Sequence, residues 1–255
     1  MDINASDIYS FYNSRLGNIV KRNIRHQLNT HLNSVNDSVI CGYGYTNPFL
    51  SFLSKQNKNL QISSMQPEFL DGNVKEKYDF EHQIIHEYFL PLDPSSVDVV
   101  ISTHLLEFVD KPQSSIEEIW RILKPNGLFL SIIPRRSGIW TRYDNNPFGF
   151  GRSYSNKQFK SLIQDFLVLD YRKTFLHFPP WSHYLNYKSH RTIEKIGKLF
   201  FISSLIIAIE YFPVAAGSPG PLDKKIPFGF KSSIFFAFVL QETTVTLQLK
   251  SEKYL

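Results

Sequence analysis

One cysteine in 255 residues excludes an internal disulfide framework and any cysteine-rich zinc site. No run of apolar residues reaches the roughly 20 needed to span a bilayer. The most apolar stretch, residues 199–209, is about half that length and reads as a buried helix, with contact at a membrane surface as the alternative. The first residues, MDINASDIYSFYNS, lack a basic segment followed by an apolar run, so no secretory signal is expected and the chain reads as cytoplasmic. The net charge of +5 comes from scattered residues with only four basic doublets, which excludes a basic arm or nucleic-acid stripe. Internal repeats and low-complexity linkers are absent, so one domain is expected across 1–255.

A hydrophobic content of 42% is ample for a sizeable core. The 22 Phe and 13 Tyr either fill that core or line an apolar pocket, and both readings stay open.

Residues 90–155 set the fold class. Val97-Asp98-Val99-Val100-Ile101 suits a strand buried on both faces. Ile116, Ile119, Trp120 and Leu123 fall on one helical face, and Lys124-Pro125-Asn126-Gly127 stops that helix. Residues 128–133 form a second buried strand. Strand, crossover helix and strand imply a parallel pair with a right-handed connection, hence an α/β sheet.

Three parts follow in chain order. Residues 1–34 hold a helix over about 7–32 whose apolar stripe includes Ile8, Tyr12, Leu16 and Ile19. Residues 35–135 form a cofactor-binding half. In it a strand ending in Gly42-Tyr43-Gly44 leads into a helix at 46–54, a turn that lets a backbone approach a ligand closely. The third glycine of the dinucleotide fingerprint is missing, with Pro48 near its place, which disfavours a pyrophosphate cradle and a nicotinamide cofactor. Strands are also expected at 60–65 and 84–87. The tip of the former has no acid, leaving Gln66 or Glu68 to meet a ribose. Residues 136–255 form an acceptor-side half: a capped helix from Ser155, a strand over 167–178, a helical region over 187–209 and a final strand over 232–240.

Candidate chemistry lies beyond the two strands of the central unit. His104 and Glu107 occupy the turn where an open α/β sheet exposes catalytic side chains, and either can act as a general base or serve only as a structural contact. The loop after 134 carries Arg135, Arg136, Arg142 and Arg152 with Trp140 and Tyr143 between them. Arginine forks suit carboxylates or phosphates and the aromatics suit a planar group, so this loop is the candidate acceptor-binding segment. Pairing with acids of neighbouring helices is the alternative.

The blocks FYNSRLG at 11–17, GYGYTNPFL at 42–50, LPLDPSSVDVV at 90–100, HLLEFVDKP at 104–112, EIWRILKPNGLFLSIIPRRSGIW at 118–140 and NPFGFGRSYSNKQ at 146–158 carry a resemblance. Together the chain resembles class I S-adenosylmethionine-dependent methyltransferases, and more narrowly a group of bacterial type-11 methyltransferase-domain proteins. The resemblance implies a Rossmann-like, seven-stranded, mostly parallel sheet with helices on both faces and an antiparallel last strand. It implies S-adenosylmethionine as cofactor near Gly42, Tyr43 and Gly44, with Met65, Gln66 and Asp93 as ribose or adenine neighbours. Ser102, Thr103 and His104 would face the reacting end. The implied reaction is methyl transfer to a small acceptor, anionic, aromatic or lipid-like; no metal and no nucleic-acid module are implied, and oligomeric state is left open. Two departures from the family pattern, Ile40 where an acid is common and the acid-free strand tip at 64–66, favour the alternative of a catalytically inactive methyltransferase-fold binding or scaffold protein.

Overall fold

The sheet is built outward from one buried strand. In the computed structural model, which describes residues 5–32, 37–71, 77–144, 146–165, 168–175, 180, 189, 192–193 and 205–211, strand β1 (Val39–Gly44) is buried from Ile40 to Gly44. It pairs in parallel with β2 (Gln61–Pro67) on one side and β4 (Val97–Thr103) on the other. β3 (Glu81–Ile85) extends the sheet beyond β2, and β5 (Leu123–Pro134) extends it beyond β4, again in parallel. β7 (Leu205–Tyr211) pairs antiparallel with β5 and with β6 (Val168–Phe175), giving seven strands in the order β3-β2-β1-β4-β5-β7-β6. The order reverses between β1 and β4, which makes that crevice the switch point where ligands bind in open α/β sheets. All described residues belong to one unit, Met1–Ala216.

The seven-stranded expectation holds, with two reassignments; β5 begins at Leu123, so residues 123–127, expected as the end of the helix and its stop, are strand paired toward β4. Residues 205–209 belong to strand β7, whereas the sequence pattern reads as helix. A strand flanked on both sides within a sheet is written as a continuous apolar run, and periodicity cannot separate such a run from a buried helix. The strand expected at 232–240 lies outside the described residues.

The leading helix also differs from expectation. It is two helices, α1 (Ala5–Asn13) and α2 (Arg15–Leu32), broken at Ser14. The Ser14 N–H closes α1 on the carbonyls of Ser10 and Phe11, while the Ser14 Oγ accepts from the Gly17 N–H at 3.0 Å. A Cβ at Gly17 would stand 1.8 Å from the Phe11 carbonyl oxygen, so only glycine lets the two helices meet this closely. α2 is fastened to α3 (Asn47–Gln56) by Arg25, whose fork donates to the Pro48 carbonyl and lies 5.2 Å from the Phe52 ring centre.

On the other face, α4 (Pro112–Ile122) buries Ile116, Ile119 and Ile122. Each such side chain withdrawn from water contributes about 1.5–3 kcal/mol. Trp120 was expected on that face but is 39% exposed, because the buried stripe turns toward Ile122 instead. Arg121, paired with Glu118, donates to the carbonyls of Leu90 and Leu92 and so ties the β3–β4 connection to α4. Two short helices complete the described fold: α5 (Pro147–Phe150) and α6 (Asn156–Ile163), which opens on the expected Ser155–Gln158 capping box.

Candidate active site

The site grows from the carboxyl ends of β1 and β4. Gly44 has φ +103° and pairs with Thr103; a Cβ there would lie 2.4 Å from the Thr103 carbonyl. That carbonyl accepts from the Tyr45 N–H at 2.9 Å, and the Thr103 hydroxyl donates back to the Tyr45 carbonyl at 2.7 Å. Gly42 makes room for the first turn of α3, since a Cβ there would strike the Thr46 hydroxyl and Leu50. The glycine turn is therefore closed onto β4 and α3 largely by its own neighbours.

His104 follows β4 with φ +51°, a left-handed conformation that costs a non-glycine residue energy and concentrates at functional sites. It is buried, as is Glu107 one turn on. His104 Nδ1 lies 3.2 Å from Glu107 Oε1, and His104 Nε2 lies 2.7 Å from the hydroxyl of Tyr12 on α1. The tautomer with its proton on Nδ1 faces Glu107 and leaves Nε2 to accept from the phenol, although Nδ1 makes no hydrogen bond in good geometry. Neither Glu107 oxygen has a hydrogen-bond donor in good geometry, although both are shut away from solvent. Burial, with Tyr45 and Glu107 nearby, holds the Tyr12 hydroxyl well above the ordinary tyrosine pKa.

Aromatic rings enclose the pair. Tyr12 stacks on Tyr45 at 6.0 Å and meets Phe49 edge-on at 5.6 Å, while Phe148 tilts over His104 at 5.1 Å. Phe11 meets Trp140 and Phe148 edge-on at about 6 Å. Many of the aromatics thus build core, and part of that core surrounds the candidate base.

The expected cofactor residues divide into two groups. Ser102 and Thr103 lie buried at the β4 end beside the glycine turn. Tyr43 points to the opposite face, where its hydroxyl donates to the Glu87 carbonyl and burial raises its pKa. Met65 is buried in that same second cluster. Gln66 is engaged within the protein: it donates to the Leu70 carbonyl at 2.7 Å and accepts from Asn47 at 3.2 Å. Asp93 is not brought to the site. It precedes β4, next to Arg121 in the last turn of α4, and therefore sits at the amino edge of the sheet. The long β3–β4 connection crosses the sheet's height, which sequence spacing cannot show. Glu87, just past the β3 tip, is the acid at the carboxyl edge that sequence reading missed.

The arginine loop starts and ends at the site. The backbone of Arg135 and Arg136 pairs with Tyr154, and the Arg152 N–H donates to the Glu107 carbonyl at 2.8 Å. Arg135 and Arg136 thus share one short ladder with Tyr154, Arg152 is tied instead to Glu107, and Arg142 lies apart in a 3₁₀ turn, Trp140–Arg142. Arg136, Arg142 and Arg152 are exposed. Trp140 is wholly buried, an anchor of the loop and not the exposed platform expected for a planar acceptor. Asn146 holds it, donating to the Trp140 and Tyr143 carbonyls and accepting from the Phe148 N–H. Among the described residues, no cluster of three His, Cys, Asp or Glu could hold a metal, and no helix is long and apolar enough to cross a membrane.

Residues 39–131, from β1 through most of β5, match the family described as Methyltransferase domain. Over this part the chain is similar to a methyltransferase domain. Solved structures share its fold. Geranyl diphosphate C-methyltransferase from Streptomyces coelicolor A3(2), in complex with S-adenosyl-L-homocysteine, aligns with a TM-score of 0.54 at 14% identity, covering 76% of this chain and 79% of that one. The [4+2]-cyclase SpnF aligns with a TM-score of 0.53 at 12% identity, covering 76% and 82%. A Mycolicibacterium smegmatis (strain ATCC 700084 / mc(2)155) protein described as a probable S-adenosylmethionine-dependent methyltransferase is 29% identical over 99 residues. That match covers 38% of this chain and 36% of the relative, so it spans about a third of the relative's length. The fold brings Tyr12, His104 and Glu107 together at the carboxyl edge of the sheet, and Tyr12 is the member for which the sequence offered no site role. Its signals in the sequence are its place in the apolar stripe of the leading helix and in the FYNSRLG block at 11–17.

Proposed function

We propose that this protein transfers the methyl group of S-adenosylmethionine to a small acceptor at the crevice between β1 and β4. The supporting observation is the buried His104–Glu107 pair, held in a left-handed turn beside the glycine turn of a methyltransferase domain. The residues fit the cofactor in kind: the aromatic rings that enclose His104 suit a sulfonium cation. Gly42, Gly44, Ser102 and Thr103 would hold its amino-acid end. With Ile40 and Gln66 where acids are common, Glu68 or Glu87 would meet its ribose.

S-adenosylmethionine, when bound, supplies an electrophilic methyl group. The chain positions the nucleophile, excludes water and receives a proton. His104 Nε2 is the base, and Glu107 keeps the Nδ1 proton in place and stabilises the imidazolium. The exposed arginines at 136, 142 and 152 give the acceptor side a positive rim that suits an anionic group.

Isothermal calorimetry with S-adenosylmethionine and S-adenosylhomocysteine tests this reading. Micromolar binding of both is expected. Absence of binding favours the second reading, a methyltransferase-fold protein without methyl transfer. Two observations support that alternative: Gln66 is already engaged with Asn47 and Leu70, and a [4+2]-cyclase shares this fold.

A further inference from the structure

The base proposed above already carries a hydroxyl, and it is a phenol. We propose that the Tyr12 side chain occupies the acceptor subsite, and that the acceptor is an aromatic hydroxyl compound whose O–H takes the place of the Tyr12 O–H on His104 Nε2. This deepens the methyl-transfer reading and rests on it.

The subsite is defined by what it does to Tyr12. One ring face lies parallel to Tyr45, one edge meets Phe49, another meets Phe11, and the hydroxyl ends 2.7 Å from His104 Nε2. Those are the requirements of a planar phenol: a stacking face, apolar walls and one acceptor at the hydroxyl position. Tyr12 is also suited to leave. It sits on α1, a nine-residue helix separated from α2 by the break at Ser14, and α2 keeps its own Arg25 fastening to α3. A hydroxyl is the group that already occupies this position. Glu107, the group that would attract an ammonium, lies behind the ring on the Nδ1 side.

The balance of the step is simple. The phenol O–H proton passes to His104 Nε2, the phenol oxygen forms a bond to the methyl carbon, and the S–CH₃ bond breaks with its electron pair returning to sulfur. The products are an aryl methyl ether, S-adenosylhomocysteine and one proton, first held on His104 beside Glu107.

The test uses p-cresol, which is the tyrosine side chain as a free molecule. Tyr12→Ala should bind p-cresol, and the histidine ¹⁵N spectrum should show the Nε2 signal of His104 shift on binding. Wild type should bind it at least ten-fold more weakly, because Tyr12 is in the way. Adding His104→Ala to Tyr12→Ala should weaken binding at least ten-fold. With S-adenosylmethionine present, Tyr12→Ala should form 4-methylanisole. Tyr12→Leu, which keeps apolar volume on α1, serves if Tyr12→Ala does not fold. Loss of the fold in both variants overturns the proposal, since a stand-in must be dispensable. It is also overturned by failure of p-cresol to bind, or by binding indifferent to His104. Cofactor affinity is measured separately on the same variants, so failure there counts against methyl transfer and not against the phenol subsite.

Discussion

The Tyr12 hydroxyl and His104 Nε2 meet at 2.7 Å across 92 residues of sequence, joining the leading helix to the end of β4. Both side chains are buried, so neither can turn to water if the other is removed. The bond therefore sets the state of the imidazole and the seating of α1 together.

Tyr12→Phe keeps the ring contacts and deletes the donor, leaving Nε2 buried and unpaired. That should cost about 1–3 kcal/mol. Urea unfolding should show a lower midpoint with an unchanged slope. An unchanged midpoint means that Nε2 finds another partner.

Glu107→Gln should separate stability from activity. The wild-type carboxylate is shut from solvent with no hydrogen-bond donor in good geometry, an arrangement that costs folding energy. The neutral amide should raise stability by about 1–3 kcal/mol while methyl transfer falls by about 10²-fold or more. A variant both less stable and equally active contradicts the role given to Glu107.

Gly44→Ala should be much worse than Gly42→Ala. At Gly44 the backbone has φ +103° and a new Cβ meets the Thr103 carbonyl, which cannot move without breaking the β1–β4 ladder. At Gly42 the obstacles are the side chains of Thr46 and Leu50. The expected cost at 44 is about 2–4 kcal/mol with loss of S-adenosylhomocysteine binding, read by thermal unfolding and calorimetry. Equal effects at the two positions would falsify this account of the turn.

Asn146→Ala removes two donations and one acceptance that hold Trp140 and Phe148 over the site. The expected loss is about 2–4 kcal/mol. Trp140 fluorescence should move to longer wavelength as water reaches the ring; an unshifted spectrum shows that packing alone seats it.

Alkaline pH should destabilise the fold. Burial raises the Cys41 thiol from 9.0 to about 12 and the Tyr154 hydroxyl from 10.0 to about 12, and raises Tyr12 and Tyr43 as well. The folded state therefore holds these protons more tightly than the unfolded chain. The stabilisation is complete below the ordinary thiol and phenol values and is lost as pH climbs toward the folded ones. Each group removes about 1.4 kcal/mol per pH unit within its window. Urea midpoints should decline from about pH 9 upward, and Cys41→Ala should flatten the first part of that decline.

The parallel core was legible in the sequence because its strands and crossover helix are each specified by local pattern. Val97 to Ile101, the Ile116–Ile119 stripe and the Ser155 capping box all fall where periodicity and capping put them. His104 and Glu107 were legible for the same reason, as residues of the turn after a recognisable strand. Three features were not. Whether residues 205–209 are strand or helix depends on neighbours on both sides in the sheet, which the run itself does not encode. Asp93 is close in sequence to β4 but lies at the far edge, because the preceding connection crosses the sheet. Tyr12 looks like any other apolar-stripe residue until the Ser14 break and the close approach at Gly17 place it on His104. The sequence by itself determined most of the central elements and the turn after β4, because those follow from local spacing. Only the tertiary structure decided which distant side chain meets His104, because that contact depends on how α1 is seated over the sheet.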